Sequence, residues 1–457
     1  NRRNDQRSLQ KKIMFPEEST LDTTFFNKEK ETMKRKDIEA LQLEKLKWTI
    51  NRCYDHVPYY KQCMDKAGVQ PKHIQKLSDI SRLPLMTKAD LRDNYPFNLF
   101  ASPIEDIIEV HASSGTTGKP VVGAYTRNDM EVWSECMARI ITASGVTAKD
   151  IAQISFGYGL FTGAFGLHYG LQKVGCMVIP MSSGNSEKQL MIMEDFGSTV
   201  LIATPSYGVY LSELAKDHGI SDKLKLRVGL FGSEICTPEM RDQIEKNIGI
   251  IVTDNYGLTE IGGPGVSGEC LERNGLHINE DYYLCEVIDP DTCEVLPQGE
   301  TGELVITPLF KEAFPIFRYR TKDLARITYD PCPCGRTTAR MTKVMGRTDD
   351  MMIIKGVNVF PSQIESVLFT MPHIGPHYQL ILRKKNFMDT LEVQVELVDA
   401  SLLERYSELD ALQHKIRAAL KTVLGLDCKV TLVPPRTIKR FEGKAKRIVD
   451  LRNEGNN

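Results

Sequence analysis

Residues 111–120 read His-Ala-Ser-Ser-Gly-Thr-Thr-Gly-Lys-Pro. The hydroxyl side chains Ser113, Ser114, Thr116 and Thr117 alternate with glycine, and Lys119 follows. Gly115 and Gly118 permit backbone angles that a β-carbon forbids, so this loop can wrap closely around a ligand. Successive N–H groups in such a loop form an anion-binding concavity, to which hydroxyls and an ammonium add donors for phosphate oxygens. The P-loop pattern G-x-x-x-x-G-K-[ST] does not fit, because Ser113 stands at its first Gly and Pro120 at its magnesium-holding hydroxyl. On composition alone, a plain Ser/Thr/Gly surface loop is an equal alternative.

Working outward, Ile107-Ile-Glu-Val reads as a strand leading into the loop, and residues 128–144 as a helix. From about 105 to 255 short apolar runs alternate with helical segments, which predicts parallel α/β layering. The strands expected are 151–156, 174–180, 199–205, 226–234 and the apolar run from Ile250. The run from Leu226 ends in the small-residue turn Gly232-Ser233-Glu234, and such strand ends are where open α/β sheets bind ligands. Upstream, residues 27–67 carry apolar positions at helical spacing, with Pro58 as an interruption, and Thr87 reads as the N-cap of a further helix. Residues 282–306 change to short β runs with turns, a smaller β subdomain. From Gly346 onward the pattern is α+β: alternation over 376–398, an amphipathic helix over 401–424, and a strand over 428–434.

The totals narrow the class. A chain of 457 residues is too long for one ordinary core. With 41% hydrophobic and 26% charged residues and a net charge of −2, it reads as soluble and globular, with no basic tract for nucleic acid. The opening residues lack an apolar h-region and no apolar run reaches ~18–20 residues, so neither a signal peptide nor a membrane span is expected. Eleven irregularly spaced cysteines suit a reducing cytoplasm, with free thiols or a metal, better than a disulfide framework.

Four further motifs follow the loop: Tyr256-Gly-Leu-Thr-Glu, Phe317-Arg-Tyr-Arg-Thr-Lys-Asp, Gly346-Arg-Thr-Asp-Asp with Lys355-Gly-Val-Asn-Val-Phe-Pro, and Gly443-Lys-Ala-Lys-Arg. In this order the set resembles the adenylate-forming enzymes: acyl- and aryl-CoA synthetases, peptide-synthetase adenylation domains and luciferases. Gly157-Tyr-Gly-Leu-Phe-Thr-Gly, Arg318-Tyr-Arg-Thr-Lys-Asp and Gly356-Val-Asn-Val-Phe-Pro-Ser-Gln-Ile-Glu are similar to the phenylacetate–CoA ligase branch. The resemblance runs from about residue 20 to the end. It implies an α/β fold with a large N-terminal adenylate-forming domain (1–346) and a small mobile α+β C-terminal lid (347–457).

It also implies a reaction. A carboxylate attacks the α-phosphate of ATP, pyrophosphate leaves, and fixed donors and a metal must stabilise the phosphoryl oxygens. The resemblance gives Ser113, Ser114, Gly115, Thr116, Thr117, Gly118 and Lys119 to the β- and γ-phosphates. It gives Thr259 to the α-phosphate and Glu260 to Mg²⁺, for which a carboxylate is a hard oxygen ligand. Gly232, Ser233 and Glu234 would lie along the adenine, with Asn255, Tyr256 and Gly257 beside it and the Tyr256 ring stacked on its face. Asp323, an acceptor-only group, would take the ribose hydroxyls, assisted by Arg347. Lys444 would bridge carboxylate and α-phosphate, with Lys446 as its competitor. Asp349 would be the hinge, and Lys355, Gly356 and Val357 would line the path of CoA.

Each motif also has a bland reading. Thr259-Glu260 could cap a helix, Asp323 could pair with Arg318 or Arg320, and Asp349 could lie in an ordinary interdomain turn. The acid is expected against Phe156, Tyr158, Phe161, Gly163 and Ala164, since an aromatic, glycine-rich wall suits a flat ring, though core packing would use the same residues. Cys270-x₆-His277 and Cys332-Pro-Cys334 would make a closed Cys₃His structural zinc site. Cys-x-Cys is tighter than the usual Cys-x₂-Cys knuckle, and a metal-free thiol cluster is the alternative. The function expected is ATP-dependent ligation of an aryl acid to coenzyme A. The alternatives are acyl transfer to a carrier-protein thiol, or a catalytically silent nucleotide-binding module. Partners are the acid, ATP and CoA, with no nucleic acid or membrane; the oligomeric state stays open, a homodimer included.

Overall fold

The computed structural model describes residues 25–452 except 114–119, 349–351, 356, 386–387 and 441–446. Ser114, Gly115, Thr116, Thr117, Gly118, Lys119, Asp349, Gly356, Lys444 and Lys446 thus lie outside the described residues.

Helices α1 (Lys28–Glu31), α2 (Arg35–His56) and α3 (Pro58–Lys66) lead the chain. Pro58 ends α2 and opens α3, where its missing N–H is no loss. In α4 (Lys88–Asp93) the N–H and hydroxyl of Thr87 both donate to Asp90, at 2.7 and 2.6 Å. Strands β1 (Ile107–Ala112) and β2 (Val122–Thr126) pair antiparallel.

An α/β run follows: α5 (Arg127–Ala143), β3 (Ile151–Ile154), α6 (Thr162–Val174), β4 (Met177–Ile179), α7 (Ser186–Phe196), β5 (Val200–Ala203), α8 (Pro205–Asp217), β6 (Val228–Phe231), α9 (Pro238–Ile248) and β7 (Ile251–Leu258). Strands β4, β3, β5, β6 and β7 are neighbours in that order and parallel. Both faces are covered, and the period of two sorts the side chains. Val200, Ile202, Val228 and Leu230 join Trp133, Met137 and Leu167 of α5 and α6. Leu201, Ala203 and Phe231 join Tyr207, Leu211 and Ile244 of α8 and α9. Burial on both faces explains why these strands read as continuous apolar runs. One expected strand is shorter than its apolar run: α6 extends to Val174, and Gly175, left-handed at φ 101°, ends it before β4 begins at Met177.

Beyond β7 the same sheet turns antiparallel through β8 (Gly263–Glu269) and β9 (Leu276–Ile278). Strands β10 (Tyr283–Ile288), β11 (Gly302–Pro308) and β12 (Tyr319–Ala325) start a second, four-stranded antiparallel sheet, while β13 (Ile327–Thr328) and β14 (Arg340–Met341) return to the edge beside β9. β15 (Gly346–Arg347) completes the second sheet next to β12.

The remaining residues build a core of their own. It comprises the hairpin β16 (Met352–Ile354) and β17 (Val357–Val359), α10 (Pro361–Leu368), β18 (Ile374–Lys385), β19 (Met388–Leu397), α11 (Tyr406–Leu424), β20 (Lys429–Val433) and β21 (Ile448–Asp450). The helix expected from 401 starts only at Tyr406; residues 400–404 form a 3₁₀ turn capped by Asp399, whose carboxylate accepts from the Ser401 N–H at 2.9 Å. This unit meets the main body along α8. Arg436 pairs with Asp217, and Glu213 faces both His377 (3.3 Å) and Arg440 (3.5 Å). No helix among the described residues is long and apolar enough to cross a membrane.

Candidate active site

The site forms where β6 and β7 end side by side. Phe231 is the register partner of Asp254, so Gly232 falls next to Asn255. A β-carbon on Gly232 would stand 3.0 Å from both the carbonyl and the side-chain oxygen of Asn255, whose Nδ2 donates to the Phe231 carbonyl at 2.8 Å. Ser233 takes a left-handed φ of 70°, and Glu234 accepts a hydrogen bond from Ser206. β7 carries Tyr256 and Gly257 on to a 3₁₀ turn, Thr259–Ile261, and the chain reverses into β8. At the crossing a β-carbon on Gly257 would lie 2.1 Å from the Gly263 carbonyl oxygen, so no side chain fits there.

β12 faces these residues. Its buried and half-buried positions alternate, with Tyr319, Thr321 and Asp323 on the buried face and Arg320 and Lys322 on the other. Arg320 therefore pairs with Glu303 at 2.6 Å, and Arg318 with Glu286 at 3.0 Å. Neither takes Asp323. Instead the Tyr256 hydroxyl donates to Asp323 Oδ2 at 2.6 Å, and Arg347, its register partner on β15, donates to Oδ1 at 2.8 Å. Burial, the Asp323 charge and the hydrogen bond to it push the Tyr256 phenol well up.

Glu260 is buried, and its Oε1 receives the Tyr319 hydroxyl at 3.3 Å and faces the Lys88 ammonium at 3.4 Å. Sequence reasoning missed both partners. They arrive through a bridge between Met86 and Tyr319, in which Met86 N–H donates to the Arg318 carbonyl and Arg320 N–H to the Met86 carbonyl. Thr259 Oγ1 lies 3.4 Å from Thr162 Oγ1 at the start of α6, and its carbonyl is 3.0 Å from where a β-carbon on Gly123 of β2 would sit. Strand β2 thus lies directly on the Thr259 turn. The base of the β1–β2 pair is closed by Ser113, whose N–H donates to the Val121 carbonyl and whose hydroxyl accepts from Val121 N–H, at 2.9 and 3.0 Å.

The aromatic stretch approaches from the same side. The Leu160 carbonyl accepts from Ala112 N–H at 2.9 Å and faces His111 Nδ1 at 3.2 Å, tying the stretch to the base of the β1–β2 pair. Phe156 packs against Gly163, where a β-carbon would meet its ring at 2.6 Å. Phe161 is exposed at the α6 N-terminus, while Ala164 is fully buried in the core and backs this wall rather than facing open space. Tyr158 hydrogen-bonds His168 at 2.9 Å and meets Phe165 edge-on at 5.2 Å; burial lowers the His168 pKa and so favours the neutral ring that accepts the phenol proton. The Tyr169 hydroxyl of α6 donates to Glu109 of β1 at 2.6 Å; this contact and those of His111 and His168 join separate segments of the chain, which is why the three were missed.

Lys355 sits exposed at the β16–β17 turn with φ 52°, beside the half-buried Val357. Cys270, His277, Cys332 and Cys334 come together, with all four ligand atoms within 4.8 Å of one another.

The family model for AMP-binding enzymes matches residues 31–308, and that for the AMP-binding enzyme C-terminal domain matches 356–452. The chain belongs to the AMP-binding enzyme family. Among AMP-binding enzymes it is 45% identical to the phenylacetate-coenzyme A ligase of Thermus thermophilus, over 93% of this chain and 99% of that one. It is 45% identical to the ligase of the same name from Escherichia coli, over 93% and 97%. Its structure matches that of 2-hydroxyisobutyryl-CoA ligase in the postadenylation state with 2-HIB-AMP, at a TM-score of 0.87, 27% identity, and 94% and 93% coverage. Against the same ligase with 2-HIB-AMP and CoA in the thioesterification state the TM-score is 0.70, at 28% identity and 95% and 94% coverage.

Proposed function

We propose that this chain is an AMP-forming acid–coenzyme A ligase that activates phenylacetate or a closely similar aryl acid. One observation carries the reading: the ends of β6 and β7, the paired strands β1 and β2 and the buried face of β12 converge on one place. There they bring Thr259, Glu260, Asp323 and Arg347 together beside the aromatic stretch. The identity to phenylacetate-coenzyme A ligases, extending over nearly the whole of both chains, supports the substrate class.

In this reading Asp323, aligned by Tyr256 and Arg347, takes the ribose hydroxyls. Gly232–Glu234 and Asn255 form the edge against which the base lies. Thr259 donates to the α-phosphate, and the Ser/Thr/Gly stretch holds the β- and γ-phosphates. The acid lies along Phe156, Tyr158 and Phe161 with its carboxylate toward Thr259, a placement that makes attack on the α-phosphate effectively unimolecular. The Glu260 carboxylate fits a hard cation: it is buried, its contacts among the described residues both use Oε1, and it would supply an oxygen ligand to Mg²⁺. Such an ion would neutralise charge on the phosphate oxygens. Lys444 is the ammonium assigned to the reacting oxygens on sequence alone. CoA would then enter past Lys355 and Val357 and its thiolate displace AMP. Eleven cysteines free of disulfides suit a cytoplasmic enzyme.

A panel of aryl and alkyl acids in an AMP-release assay tests the reading. CoA-dependent release with phenylacetate favoured over acetate and 2-hydroxyisobutyrate supports it. Release that needs a carrier protein instead of CoA, or no acid-dependent release at all, refutes it.

A further inference from the structure

The Cys270–His277–Cys332–Cys334 cluster lies apart from this chemistry. β8 starts at Gly263, the register partner of Leu258 beside the Thr259 turn, and runs away from it; Cys270 follows its far end. His277 is on β9, opposite Arg340 of β14, and Cys332 and Cys334 are on the turn leading into β14. Cys270 Sγ and Cys332 Sγ are 3.8 Å apart, and Cys334 Sγ and His277 Nε2 3.3 Å. A disulfide would need sulfurs at about 2.05 Å. A zinc ion with bonds of about 2.3 Å to sulfur and 2.0–2.1 Å to nitrogen, tetrahedrally arranged, spans edges of about 3.8 Å between sulfurs and about 3.6 Å from sulfur to nitrogen.

The surroundings are arranged for ligation. The backbone N–H groups of Glu272, Cys334 and Arg336, each two residues on from a thiol, point at the sulfurs of Cys270, Cys332 and Cys334 respectively. Gly335, at φ 85°, lets the tight Cys-Pro-Cys turn close, with its N–H on the Cys332 carbonyl at 3.0 Å. His277 Nδ1 meets Thr338 Oγ1 at 3.2 Å, which fixes the ring so that Nε2 faces the thiols, as the outer partner of a metal-bound histidine does. Cys270 and Cys332 are buried against Ala143 of α5, with no carboxylate among the four ligands.

We propose that these four residues form a closed structural Zn²⁺ site, in which the ion clamps the end of β8 and strand β9 to the 332–334 turn. Three thiolates and one imidazole around a compact tetrahedron favour zinc over a hard oxygen-preferring cation. The clamp has a mechanical consequence. Two residues beyond Cys334, Arg336 pairs with buried Glu31 of α1 at 2.8 Å, and Ala339 N–H donates to Glu280, which also holds Arg35 of α2. Fixing the turn therefore fixes the attachment of the N-terminal helices to the edge of the large sheet.

The test uses the full chain without a polyhistidine tag, expressed in zinc-supplemented medium and purified without chelator. Elemental analysis is expected to give about one zinc per chain, released by a mercurial thiol reagent. Expression with cobalt should give the intense absorption of tetrahedral thiolate-bound Co²⁺. Cys332→Ser/Cys334→Ser should abolish both signals, and zinc removal should lower Tm of the wild-type chain and open the 330–339 segment to proteolysis. Less than a few tenths of a zinc per chain, or full zinc retained by the double variant, would overturn the proposal. Should that variant fail to fold, the cobalt spectrum of the wild-type chain decides alone: an octahedral or absent spectrum overturns it.

Discussion

Glu213→Gln tests whether the contacts along α8 favour the domain arrangement in which the acid is adenylated. Glu213 lies on the main body, and His377 and Arg440, both mostly buried, reach it from the other unit at 3.3 and 3.5 Å. Burial pushes the Glu213 carboxyl up, but the His377 hydrogen bond, the two positive partners and the Gln243 amide outweigh it and hold the pKa below the carboxylate range. At 3.5 Å the Arg440–Glu213 charge pair has a gross attraction of about 5 kcal/mol at an effective dielectric of about 20, and His377 adds a hydrogen bond. Desolvation and salt cancel most of that, and since Gln keeps the hydrogen-bonding shape, the net loss expected is about 1–2 kcal/mol. That shifts the balance between domain arrangements by about 5–30-fold away from adenylation. The assay separates the half-reactions: acid-dependent pyrophosphate exchange for the first, and thioester formation from supplied phenylacetyl adenylate and CoA for the second. Exchange should fall by about that factor while thioester formation holds or rises. Equal losses in both, or none in exchange, would refute the reasoning.

Three further outcomes are expected. Asp323→Asn keeps a side chain between Tyr256 and Arg347 but loses the charge and one acceptor, so KM for ATP should rise by about 10–100-fold with less change in KM for the acid; a larger effect on the acid would move Asp323 out of the ribose site. Gly163→Ala puts a methyl 2.6 Å from the Phe156 ring, and the ring must move. Its kcat/KM should fall more for phenylacetate than for a small aliphatic acid, whereas a uniform loss would place Phe156 in the core alone. Burial raises the Asp254 carboxyl to about 7, against the opposing Lys343 and Arg241 charges and with Glu269 adding to the rise. Between its ordinary 3.8 and that value the folded chain holds a proton the unfolded chain has released, so stability falls as pH rises through this window. Asp254→Asn should therefore gain in Tm relative to wild type from about pH 5 to 8, and parallel curves for the two proteins would contradict this.

Much of this was legible in the chain because it is local. Continuous apolar runs gave the doubly covered strands, and the small residues after Phe231 marked the strand end where the site forms. Parity along β12 places Arg320 on the face opposite Asp323, but that strand was not read in the sequence, so both salt-bridge alternatives stood until the structure. Arg318 is different. Its left-handed backbone, at φ 43°, and its pairing with Glu286 follow from the strands it joins. Lys88 was illegible for the same reason, since only the Met86–Tyr319 bridge brings α4 to Glu260. Val174 read as strand because it opens an apolar run, whereas Gly175 marks that point as a helix end. The four metal-type residues were visible, but their meeting depends on β14 pairing with β9.

The central claim is that the acid is activated as an adenylate before CoA acts. Rapid quenching of the chain with α-labelled ATP, phenylacetate and Mg²⁺, without CoA, measures this directly. The account predicts about one equivalent of phenylacetyl adenylate and pyrophosphate per chain, chased to phenylacetyl-CoA and AMP when CoA is added. ADP with acyl phosphate, or AMP formed only once CoA is present, would contradict it.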